Sequence, residues 1–140
     1  MFLKDKLDKN KEKEEVRNIN AFFITISQKE EELINCLENP KYTESYFSML
    51  SLKTKFLVKE IDNMLKKLDA SPMQESIKII HIRTLNQILS RINKMGSVIE
   101  DAKINLKTAN TLENNTKILE MINKIKQERK GKTWSILKIV

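Results

Sequence analysis

Apolar residues recur along most of this chain at alternating steps of three and four. The longest run is Leu85, Ile88, Ile92, Met95, Ile99, Ala102, Leu106 and Ala109. A period of about 3.5 residues draws one narrow seam along a helix. Leu89, Val98 and Ile104 sit beside the seam and widen it, and polar residues fill the remaining positions. The pattern predicts a long helix from about Pro72 to Asn110, roughly 57 Å at about 1.5 Å per residue.

Two more seams precede it. Val16, Ile19, Phe23, Ile26, Leu33 and Leu37 predict a helix from about Glu14 to Glu38, with Glu30 in the one polar seam position. Phe22, Ile24 and Ile34 lie off that seam and imply contact with a further helix or another subunit. Asn39-Pro40 breaks the pattern, because proline cannot donate within a helix and disfavours the helical basin for the residue before it. Phe47, Leu50, Leu57, Ile61, Met64 and Leu68, with Thr54 as the polar member, predict a second helix from about Thr43 to Leu68. So short a connection makes the first two helices an antiparallel hairpin.

The third helix has a start signal in Ser71 as N-cap, Pro72 as first helical residue and Gln74 as reciprocal cap. Gly96 lies inside it and reads as a place of close helix contact rather than a hinge. Near Asn110 and Glu113, a capping pair, the seam changes phase. A shorter fourth helix, about Leu112 to Glu128, follows with Ile118, Leu119, Met121, Ile122 and Ile125, and Gly131 ends it. The expected fold is all-α: an antiparallel helical hairpin plus a long third and a shorter fourth helix in an elongated bundle. Residues 1–130 form one helical domain, and 131–140 a basic, apolar tail.

Composition agrees with that class. Among 140 residues there are 2 Gly and 2 Pro, with 32% charged residues, too few turn formers for a sheet protein. The formal charge of +7 is concentrated at the C-terminal end, where Lys124, Lys126, Arg129, Lys130, Lys132 and Lys138 face only Glu128. Glu30, Glu31 and Glu32 form an acidic cluster that reads as a solvated helix face. A single cysteine, the lack of a secretory-type leader and the absence of a membrane-length apolar run point to a cytoplasmic protein peripheral to membranes.

Catalytic signals are missing. His81, between isoleucines, reads as a satisfied structural histidine rather than a base or ligand, and Cys36 as buried filler in acidic surroundings rather than a nucleophile. No phosphate-binding glycine loop is present. The expectation is a non-enzymatic protein with no catalytic residue, no metal and no cofactor.

Binding has more support. Phe2, Leu3 and Leu7 at one end, and Arg129, Lys130, Lys132, Trp134, Ile136 and Leu137 at the other, are candidate contacts with an anionic membrane surface. Arg91, Lys94, Lys103 and Lys107 fall outside the long seam and are candidate self-assembly residues. The same basic C-terminus could instead meet nucleic acid phosphates.

Lys94-Met95-Gly96-Ser97-Val98-Ile99, then Leu106-Lys107-Thr108-Ala109-Asn110-Thr111-Leu112-Glu113 and Met121, resembles the middle of the ESCRT-III (charged multivesicular body protein) family. The likeness covers about 30 residues, with Thr111 as an extra residue; elsewhere the agreement is architectural. The resemblance implies a subunit that joins copies of itself into curved strands on a membrane. Members of that family usually have a strongly basic first helix and an unbroken second one. Here the first helix carries the acidic cluster and Asp69 to Pro72 interrupts the second. A nucleic-acid-binding protein and a small helical adaptor, including a viral factor, are the other classes the sequence allows.

Overall fold

A computed structural model describes the backbone of residues 2–106 and 111–139 and the side chains of residues 13–106 and 114–130. Among the described residues four helices follow one another: α1 (Phe2–Glu38), α2 (Glu44–Ala70), α3 (Glu75–Asn105) and α4 (Thr111–Ile139). Contacts between them fix an alternating up-and-down course. Lys29 of α1 meets Glu60 of α2, and Tyr46 of α2 meets Cys36, so α1 and α2 run antiparallel as the short Asn39–Thr43 connection requires.

Each turn has a local cause. After Pro40 the chain restarts at Thr43, whose extended backbone (φ −123°, ψ 150°) lets its hydroxyl accept from Tyr46 N–H at 3.3 Å. Glu44 then opens α2 with an acid at the positive helix end. Ser71, held extended before Pro72, closes α2 by donating its N–H to Leu68 O at 3.1 Å. Its hydroxyl donates to Glu15 Oε2 at 2.6 Å and accepts from Met73 N–H at 3.2 Å.

Ser71 and Pro72 therefore do not start α3, as the capping pattern implied. The chain first turns Met73 into the core, where it is 3% exposed, and α3 begins after Gln74, which makes no side-chain cap. Burying one large side chain at the bundle end outweighs a cap worth about 1 kcal/mol.

The seams form one continuous core. Ile26, Leu37, Phe47, Leu50, Ile61, Leu85, Ile92, Met95, Ile99 and Ile118 are all fully buried. The two polar seam positions, Glu30 and Thr54, are buried with them. Backbone packing is closest between α2 and α3, then between α3 and α4 and between α1 and α4. The α1–α2 pair, although directly connected, is held further apart.

Two further boundaries differ from the pattern. α1 begins at Phe2 rather than near Glu14, and α4 is not the short helix expected, since it passes through Gly131 to Ile139. One glycine costs a helix only about 1 kcal/mol, too little to end it without a competing cap. The break expected at 130/131 is therefore not a break in the helix. Gly96 also sits in continuous helix, and a Cβ there would stand 3.5 Å from Thr54 Oγ1, an ordinary contact.

Candidate functional site

Because α1 and α2 stand apart, the bundle is open along that side. The gap is an apolar groove of about 480 Å³, walled by Lys29, Glu32, Leu33 and Cys36 of α1 and by Leu52, Lys53, Phe56 and Leu57 of α2. Leu33 and Leu57 form its floor, being 1% and 3% exposed. Its α2 rim carries Leu52 at 67% and Phe56 at 57% exposed, and Met49 continues the same stripe. The Lys29 ammonium lies 5.4 Å from the Phe56 ring centre and 3.4 Å from Glu60 Oε2, so one cation bridges the groove. Glu32 and Lys53, on opposite walls, have no ion-pair partner among the described residues.

A second polar constellation lies inside the bundle. Glu30 is 1% exposed and accepts from Arg91 twice, Nε to Oε2 at 2.8 Å and Nη2 to Oε1 at 3.0 Å. Arg129 approaches the same carboxylate, Nε to Oε1 at 3.4 Å, and donates to the Ser27 carbonyl and hydroxyl. One carboxylate thus ties α1 to α3 and α4. Bidentate geometry suits burial, because it satisfies both oxygens of the desolvated acid.

These contacts correct several expectations. Arg91 is not on an outer face; it is 5% exposed and bound to Glu30, so that acid is not part of a solvated face either. Lys94 is exposed but reaches Glu128 Oε1 at 3.4 Å, and Lys103 is half-buried. Arg129 turns inward to Glu30 rather than out to a surface, while Lys130 is exposed. Lys126 pairs with Glu38, which further reduces the free charge of the basic pole. The side chains of Lys107, Phe2, Leu3, Leu7, Lys132, Trp134, Ile136 and Leu137 lie outside the described residues. Asn110 and Glu113 do so as well.

His81 is buried at 3%, with its ring 5.5 Å from that of Phe23, but its Nε2 has no hydrogen-bond partner among the described residues and burial lowers its pKa. The satisfied histidine expected from the sequence is therefore not what is found at this nitrogen. Cys36 is half-buried in the groove wall rather than fully enclosed. Among the described residues no group of three or more His, Cys, Asp or Glu is placed to hold a metal ion, and no helix is long and apolar enough to cross a membrane.

Neither known protein families, curated proteins nor solved structures contain a match to this chain. Its own geometry therefore carries the functional argument. Among the described residues behind the ESCRT-III resemblance, Met95, Ile99 and Met121 are buried, Val98 packs against the core and Gly96 rests on Thr54, while Lys94 and Ser97 are exposed. The groove was missed by the seam pattern, which followed one face of α2 only. Met49, Leu52 and Phe56 repeat at three and four on the other face, and that second stripe is the signal that pointed to it.

Proposed function

We propose that this protein is a non-catalytic helical subunit that works by self-association. The observation that carries the reading is the uncovered groove between α1 and α2 together with the exposed stripe beside it. Exposed apolar residues scattered singly are ordinary, but Met49, Leu52 and Phe56 beside an apolar groove form a contiguous strip of the kind that marks protein contact. Covering a side chain such as Leu52 or Phe56 is worth up to about 1.5–3 kcal/mol before ordering costs, enough for association when several act together.

The membrane-remodelling form of this role is supported by the sequence resemblance and by the basic, apolar composition of the segment from Lys130 to Val140. In that form many weak terminal anchors, each marginal for a single subunit, hold an assembly on an anionic surface.

Sedimentation velocity over a range of protein concentrations tests the self-association. Cosedimentation with anionic and neutral liposomes tests the membrane role. Concentration-dependent assembly, with binding to anionic vesicles that weakens as salt rises, is expected. A chain that stays monomeric and instead shifts nucleic acid in a salt-dependent way would replace this reading with the nucleic-acid one.

A further inference from the structure

Resting on that reading, we infer that the α1/α2 groove is filled by α2 of a second copy of this chain, laid antiparallel across a twofold axis near Phe56. The argument begins with charge. About Phe56, Lys53 lies three residues before and Glu60 four residues after. When two copies of α2 cross antiparallel at a point midway between Phe56 and Leu57, Lys53 of each copy comes level with Glu60 of the other, which that copy's own Lys29 already meets from one side at 3.4 Å. One helix face is thus complementary to itself, as a closed twofold contact demands. A partner of arbitrary sequence has no need of such symmetry.

The groove wall adds a second, independent match. Within the chain, Glu32 and Lys53 line one groove from opposite walls, between the Lys29–Glu60 contact and the Tyr46–Cys36 contact, which places them at similar heights. The same crossing brings Lys59 of the second copy to that height. Lys59 lies on the flank of α2 turned away from its own α1, which is the flank that meets the other copy's α1. Glu32 and Lys59 are exposed, and neither has an ion-pair partner among the described residues. The apolar components fit in the same way: Leu52 and Phe56 stand proud beside a groove floored by Leu33 and Leu57, so each copy brings both the knobs and the hole.

This arrangement assigns the assembly surface to α1 and α2 and leaves the buried Arg91 and the Glu128-paired Lys94 out of it. It also places the only cysteine in the contact, since Cys36 lines the groove and is reachable when the groove is open.

The test compares the wild-type chain with Phe56→Asp, Lys53→Glu and the swap Lys53→Glu with Glu60→Lys, all in sedimentation equilibrium, with circular dichroism to confirm helicity. These positions are at the surface, so the fold is expected to survive. Phe56→Asp and Lys53→Glu should each weaken self-association by about tenfold or more, and the swap should recover most of the loss. Alkylation of Cys36 by N-ethylmaleimide should slow as wild-type concentration rises, and should stay fast and concentration-independent in Phe56→Asp. If the wild type assembles but the single variants assemble equally well, or the swap behaves no better than Lys53→Glu, the twofold α2 contact is overturned while self-association stands. If the wild type is monomeric at every concentration, self-association falls and this contact falls with it.

Discussion

Replacing Glu30 by leucine should be among the most damaging single changes in the molecule, even though leucine is the residue its seam position asks for. Glu30 lies between Ile26 and Leu33 on the buried face of α1, so an apolar side chain fits the local pattern. The cost comes from the partner left behind. The Arg91 side chain is 6% exposed, and its Nε and Nη2 both donate to Glu30. Without that carboxylate a guanidinium stays buried and uncompensated, a loss of about 3–5 kcal/mol. Arg91→Met should cost less, about 2–3 kcal/mol, because Arg129 remains 3.4 Å from the stranded carboxylate.

The double variant Glu30→Leu, Arg91→Met should recover to within about 1 kcal/mol of wild type, since apolar replacement of a buried pair is often neutral or better. Urea unfolding followed by circular dichroism, analysed as a double-mutant cycle, reads all three values. Additive losses in the double variant, or a change of less than about 0.5 kcal/mol in Glu30→Leu, would refute the view that a buried charge pair joins α1 to α3.

His81 gives a pH test. Burial against Phe23 lowers its pKa, so as pH falls through about 6.5 the unfolded chain takes up a proton that the folded chain resists. Its contribution is therefore level above that pH and turns progressively destabilising below it, and the difference in urea midpoint between wild type and His81→Leu should move in favour of the variant between pH 7.5 and 5.5. A pH-independent difference would contradict the assignment. Gly96→Ala should stabilise the protein by about 0.5–1 kcal/mol, because the helix is continuous there and the new methyl meets Thr54 Oγ1 at an ordinary 3.5 Å. A lower thermal midpoint in that variant would mean that α2 and α3 pack more closely at this point than the 3.5 Å contact indicates.

The sequence by itself determined the class of the fold and most of the apolar residues of the core. Seam positions such as Phe23, Leu50, Ile92 and Ile122 could be read in advance because a helix maps spacing along the chain onto one face. Burying that face is favourable whichever helix covers it. Pro40 and the Ser71-Pro72 pair likewise marked the two described turns through backbone restrictions local to a few residues.

Tertiary structure alone decided which helices lie close. A period says which face is buried but not against what, so nothing in the pattern disclosed that α2 would pack tightly on α3 while α1 stood off and left a groove. The fate of the charged residues was hidden for the same reason. Arg91 sits beside the seam of α3, where charge normally meets water, and only the arrival of Glu30 from 61 residues away turned it into a core residue. A charge enters a protein interior when a counter-ion meets it there, and that condition belongs to the packed assembly rather than to any stretch of chain.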